Sequence, residues 1–173
     1  MTRVADAIFK RLESETTHCY HVPGGGAMFL VDALGRSNLT AVSALHEQGA
    51  GMMAIGHAMS TGGLGVCLST SGPGATNMLT ACLAAWTDSI PVLFISGQAR
   101  SEALAGNPKL RTKGLQPADI IPMVKPMTKF AYEPLTSGHD AVMALDRMIT
   151  ECLSGRRGPC WLSVPQDVQA GAA

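Results

Sequence analysis

The sequence LGVCLSTSGPGATN spans residues 64–77 and decides the fold. Its first six residues predict a short, almost continuously apolar strand, and the turn at 71–74 precedes a helical segment. A strand without polar alternation is typical of a parallel sheet covered by helices on both faces, because neither side of the strand contacts water. The stretch therefore predicts one strand–turn–helix unit of an α/β protein.

The same unit recurs along the chain and predicts a doubly wound, about six-stranded parallel sheet with helices on both faces. The segment Gln98–Asp119 shows no periodicity, and a loop of this length in a compact domain is typical of a site-covering segment. The predicted strands are 19–22, 40–45, 64–69, 91–96, 128–132 and 159–164, and the predicted helices are 2–14, 27–34 (ending at Gly35), 47–60, 75–86 and 137–153.

The composition indicates one domain with a partner. The chain has 173 residues, 46% of them apolar and 15% charged, so little charge is present to solvate a free surface. Lys+Arg and Asp+Glu number 13 each, and the resulting zero net charge argues against nucleic acid as a partner. The sequence contains neither a membrane span nor a signal peptide. Five cysteines without CxxC spacing predict a reduced, cytoplasmic protein.

Ligands of such sheets bind beyond the carboxyl ends of the strands. We therefore expect the loops at 23–26, 45–47, 70–74 and 97–100 to meet at one edge. Glu47 begins the helix at this edge, and that helix contains three glycines, which indicates close packing. One interpretation of Glu47 is a carboxylate that only satisfies the helix dipole. The other is a desolvated carboxyl group that shares a proton with a ring nitrogen of a ligand.

Several familiar motifs are absent, and no metal site is predicted. The sequence after His46-Glu47 lacks the second histidine of a zinc protease helix, because residue 50 is Ala. The Gly72–Asn77 stretch ends in Asn where a dinucleotide-binding turn has Gly or Ala, and the glycines after Pro23 lack the lysine of a phosphate-binding loop. A nucleotide-binding domain is therefore only a weak alternative.

Together, several motifs resemble the N-terminal, pyrimidine-binding domain of thiamine-diphosphate enzymes of the acetolactate synthase type. The resemblance covers nearly the whole chain. It implies that Glu47 hydrogen-bonds N1′ of the aminopyrimidine, that Pro73 and Asn77 border this ring, and that Gln116 and the turn Gly24, Gly25, Gly26 lie near the reacting centre. The motifs are HVPGGG at 21–26, LHEQGA at 45–50, TSGPGATN at 70–77, DSIP at 88–91, SGQ at 96–98 and RGPCWLSVPQDVQ at 157–169.

The resemblance further implies decarboxylation of a 2-oxo acid, pyruvate foremost, with transfer of the two-carbon unit to a carbonyl acceptor. The family's diphosphate motif is absent from 1–173, which we therefore interpret as a single pyrimidine-binding domain. Thiamine diphosphate, Mg²⁺ held by a diphosphate-binding domain or subunit, and a homo- or hetero-oligomer are implied, and the resemblance leaves room for FAD in the full enzyme. Two alternatives remain open, a subunit of a sulfopyruvate or phosphonopyruvate decarboxylase and a non-catalytic assembly module.

Overall fold

The computed structural model describes residues 2–106, 109–111, 114, 116–134 and 138–173. Its sheet has six strands in the order β2-β1-β3-β4-β6-β5, and all neighbouring strands are parallel. The predicted fold class is confirmed. The strands are β1 His18–His21, β2 Thr40–Ser43, β3 Gly65–Ser69, β4 Val92–Gln98, β5 Phe130–Tyr132 and β6 Cys160–Pro165.

Helices cover both faces of the sheet and enclose two hydrophobic cores. Residues alternate between these cores along β4: Leu93 and Ile95 pack against α1, α2, α8 and α9, whereas Val92 and Phe94 pack against α3, α4, α5 and α7. This double burial explains why β3, β4 and β6 lack polar alternation. The helices are α1 Val4–Leu12, α2 Met28–Arg36, α3 Glu47–Thr61, α4 Pro73–Asn77, α5 Leu79–Thr87, α6 Ser101–Leu104, α7 Ile120–Val124, α8 Gly138–Leu153 and α9 Gln166–Ala170.

Some boundaries differ from the sequence prediction for local reasons. Helix α2 continues through Gly35 to Arg36, whose guanidinium bonds to Asp32 one helical turn earlier and to Asp6 of α1. The predicted helix 75–86 is divided at Met78, and its first part begins at Pro73, whose fixed φ suits a first helical turn. The predicted long loop contains α6, and its residues 107, 108, 112, 113 and 115 lie outside the described residues.

The sheet topology places a crevice at its carboxyl edge. From β1, which lies next to the edge strand β2, the chain crosses to β2 on one side and later returns to β3 on the other side of β1. Loops that leave neighbouring strands in opposite directions open a crevice between them, where open α/β sheets bind ligands. Among the described helices, none has the length and apolar character needed to cross a bilayer.

Candidate functional site

A cavity of about 630 Å³ lies at the carboxyl edge and is lined by the loops after β1, β3 and β4 and by the start of α3. These loops were expected to meet here. Most of the predicted site residues line this cavity, namely Gly25, Gly26, Glu47, Pro73, Asn77 and Gln116. Gly24 lies behind the lining, packed so closely on Thr70 that a Cβ atom at Gly24 would be 2.5 Å from the Thr70 Cβ.

Glu47 is the first residue of α3 and is half-buried. Its Oε2 accepts a hydrogen bond of 2.9 Å from the Asn77 side-chain amide, and its Oε1 has no hydrogen-bond partner among the described residues. The side chain of His46 caps the helix, because its Nδ1 accepts a hydrogen bond of 3.1 Å from the Gln48 backbone amide. The Glu47 carboxylate is thus held at one oxygen and open at the other, beside the cavity.

The turn between β3 and α4 forms a backbone wall next to this carboxylate. A Cβ atom at Gly74 would lie 3.2 Å from Glu47 Oε1, so the absence of a side chain leaves that oxygen accessible. The Gly26 amide donates to Thr70 Oγ1 at 2.9 Å, and this bond joins the turns after β1 and β3. Bare backbone on two sides of a cavity suits close contact with a flat ring.

Gln116 approaches the same wall from the long loop. Its backbone has φ of 48°, a left-handed conformation that is uncommon outside glycine, and its carbonyl oxygen packs over Gly72. Gly72 itself has φ of 58° and ψ of −120°. The contact places Gln116 in the lining of the cavity.

Sequence reasoning missed a buried polar network beside the cavity. The Gln98 side-chain amide donates to the Ala118 carbonyl at 2.8 Å and to Glu133 Oε2 at 3.2 Å, and Ser163 donates to the same oxygen at 2.5 Å. Burial raises the pKa of Glu133, whereas the hydrogen bonds from Ser163 and Gln98 lower it. The negative charge of Asp119 also raises the pKa of Glu133. The network ties the long loop to β4, β5 and β6. The sequence signal for this network is that Gln98 ends β4 and Glu133 directly follows β5, both at this edge of the sheet.

Two more residues of the lining, Arg100 and Gln166, were not predicted as site residues, although the loop at 97–100 was expected at this edge. The Gln166 amide donates to the Gly25 carbonyl at 2.7 Å and thereby supports the glycine turn. Within the described residues, no group of His, Cys, Asp or Glu could hold a metal ion. The site thus offers a carboxylate, a backbone wall and amide groups.

These features define the class of protein: an α/β domain with a cavity at the carboxyl edge of its sheet, lined by a carboxylate and by bare backbone. The model of the family "Thiamine pyrophosphate enzyme, N-terminal TPP binding domain" matches residues 2–123. The chain belongs to this family, and the resemblance noted from its motifs is confirmed.

Curated relatives agree with the family match. The chain is 38% identical over 167 residues to the acetolactate synthase large subunit of Corynebacterium glutamicum. This match covers 95% of the chain and 26% of that protein. It is 38% identical to the acetolactate synthase isozyme 2 large subunit of Escherichia coli, over 85% of this chain and 26% of that protein. The probable acetolactate synthase large subunit of Methanocaldococcus jannaschii is 36% identical, over 96% of this chain and 27% of that protein. The chain thus spans about a quarter of the length of these relatives.

Proposed function

We propose that the chain provides the pyrimidine-binding half of a thiamine-diphosphate site in an acetolactate synthase-like enzyme, with Glu47 as the residue that exchanges a proton with N1′ of the aminopyrimidine. One observation carries this proposal: the Glu47 carboxylate is fixed by Asn77 at Oε2 and open at Oε1 beside a wall of bare backbone. A positioned carboxyl group within hydrogen-bond reach of a ring nitrogen is what proton exchange with that nitrogen requires.

The cavity suits one part of the cofactor and not the other. Bound thiamine diphosphate supplies the carbon nucleophile and electron sink for decarboxylating a 2-oxo acid and transferring its two-carbon unit to a carbonyl acceptor. Glu47, Asn77 and the backbone of Gly74 fit a flat aminopyrimidine. A diphosphate with Mg²⁺ requires carboxylate and carbonyl ligands, and the described residues contain no such metal-binding group. We assign Mg²⁺, the diphosphate, and any FAD of the full enzyme to another domain or subunit.

The chemical role of each residue follows from its position. Asn77 holds one oxygen of Glu47 and thereby aims the other at the cavity. Gly26, whose amide is held by Thr70, and Gly74 let the backbone approach the ring closely. Gln116 lines the cavity from the long loop, from where its side chain can hydrogen-bond a substrate. Closure of the half-buried Glu47 by a second domain would exclude water and strengthen each of these interactions.

A partner surface is present on α3. Met52, Met53 and Met59 are 39%, 37% and 69% exposed and share one face of the helix, and Gly49 and Gly56 lie on the same face, where a Cβ atom would meet no heavy atom within 4 Å. The opposite face packs on the sheet. A helix with large apolar side chains on two opposite faces is normally covered on both of them. We propose that this face, which begins at Gly49 in the same first turns of the helix as Glu47, receives the diphosphate-binding domain in an oligomer.

Two glycines of α3 provide a matched test of this surface. Gly56→Ala should stabilise the free chain by about 1 kcal/mol, because alanine favours the helix and the added methyl meets open space. Gly51→Ala should destabilise it by about 1–3 kcal/mol, because its Cβ would lie 2.4 Å from Ala81 Cβ. Urea unfolding measures both. Gly56→Ala should also weaken association with the partner domain, measured by calorimetry, and unchanged association would exclude this face as the interface.

The activity itself is tested in the assembled enzyme, with the diphosphate-binding domain supplied on the same or a separate polypeptide. We expect it to consume pyruvate with thiamine diphosphate and Mg²⁺, to release carbon dioxide and to form acetolactate, detected by NMR. Release of a free aldehyde without carboligation would favour a 2-oxo acid decarboxylase instead. Assembly without any turnover would favour the non-catalytic module.

We also propose a reduced, cytoplasmic location. All five cysteines are free and buried, which is typical of thiols that serve as small apolar side chains. Burial raises the pKa of Cys82 to about 12, so this thiol stays protonated and unreactive.

A further inference from the structure

The cavity lined by Glu47 is also lined by a cationic side chain, Arg100, to which the proposed function gives no role. Among the described residues that line it, the charged ones are Glu47 and Arg100. Arg100 is exposed, and its guanidinium has no ion-pair or hydrogen-bond partner in the described part of the chain. Arg3 and Arg36, by contrast, are each paired with carboxylates.

The backbone on both sides of Arg100 is fixed. The Ala99 amide donates to Gln98 Oε1 at 2.9 Å, and Gln98 is buried in the network that ties the loop to the sheet. The Ser101 amide and hydroxyl donate to Asp167 Oδ1 at 2.9 and 3.3 Å. These two bonds join the start of α6 to α9, and they pair the Asp167 carboxylate with Ser101. Arg100 therefore has an anchored backbone and, at the cavity, a guanidinium that no described residue pairs with.

An unpaired guanidinium at a binding cavity suits a carboxylate, phosphonate or sulfonate, because its planar array of donors matches their oxygens. It does not suit the carboxylate that leaves as carbon dioxide. Negative charge moves off that group in the transition state, so a cation paired with it would stabilise the ground state more and slow the reaction. The group bound by Arg100 must therefore survive the reaction.

We propose that Arg100 is a specificity-determining residue that binds a non-reacting anionic group of a substrate. This inference rests on the proposed function. Two sources share this chemistry: the carboxylate of the acceptor, or a second acidic group on the donor 2-oxo acid. A neutral acceptor, or pyruvate as donor, has no such group.

The assembled enzyme with Arg100→Gln and Arg100→Lys separates these sources. The acceptor arm compares 2-oxobutanoate with uncharged propanal, with pyruvate as donor. The donor arm compares 3-phosphonopyruvate and 3-sulfopyruvate with pyruvate, and follows only the product formed with propanal as the acceptor, so that no acceptor carboxylate takes part. In one of the two arms, we expect Arg100→Gln to raise the KM of the substrates that carry the extra anion on the order of 10- to 100-fold. Arg100→Lys should restore part of this loss. Kinetics with the comparison substrates that lack this anion should not change.

Two controls keep this inference distinct from the proposed function. Arg147→Gln removes the same charge from α8, outside the cavity lining, and should leave every KM unchanged. Exchange of the cofactor C2 proton should be normal in Arg100→Gln. An equal loss with substrates that carry the extra anion and those that lack it, or weaker domain assembly, would overturn the role of Arg100 alone. Absence of C2 exchange in the unaltered enzyme would overturn the proposed function.

Discussion

Glu47→Gln is expected to reduce exchange of the thiamine C2 proton in the assembled enzyme by about 100- to 10,000-fold, the usual contribution of a positioned acid–base group. Glutamine has nearly the same shape, and its carbonyl oxygen can still accept the hydrogen bond from Asn77. It cannot, however, take up and return a proton at the open position. Proton exchange measured by NMR in deuterated buffer reports this step directly, without dependence on the acceptor substrate.

The matched control for this substitution is Glu102→Gln. Glu102 is an exposed carboxylate of α6, and it does not line the cavity. The same chemical change there should leave exchange at the rate of the unaltered enzyme. If Glu47→Gln binds the cofactor and exchanges the proton just as fast, the catalytic assignment of Glu47 is wrong.

Local sequence patterns were sufficient for the sheet and for the edge at which the site lies. The inner strands β3, β4 and β6 are largely apolar runs bounded by glycine or proline, and the order of strands and helices leaves a parallel sheet as the consistent solution. The short helix α9 was missed because it follows directly on Pro165 and comprises five residues, too few to show a helical period.

Contacts between distant residues could not be predicted. Ser163 and Glu133 are thirty positions apart, and each is an ordinary polar residue in its own segment. The three glycines of α3 also have the same local sequence signal, yet Gly51 meets Ala81 whereas Gly49 and Gly56 face open space. Only tertiary packing distinguishes a glycine that permits an internal contact from one that permits approach by a partner. The same limit explains why no role was predicted for Arg100, although its loop was expected at the edge that holds the site.

Gly72→Ala is expected to cost both stability and activity, because two effects coincide at this turn. Its φ of 58° and ψ of −120° correspond to the first central position of a type II′ turn, which glycine dominates, and a side chain there costs roughly 1–3 kcal/mol. In addition, a Cβ atom at residue 72 would lie 1.9 Å from the carbonyl oxygen of Gln116. The backbone oxygen cannot rotate away as a side chain could, so the segment that carries Gln116 must move.

Gly155→Ala separates backbone strain from the displacement of Gln116. Gly155 has φ of 55°, and a Cβ atom there would have no heavy atom within 4 Å, so this variant should lose stability and retain activity. Gly72→Ala should lose stability in urea unfolding and also lower kcat/KM of the assembled enzyme by about 100-fold, the effect of an ångström-scale misplacement in a site. Equal activity of the two variants would show that the contact between Gly72 and Gln116 does not position the catalytic groups.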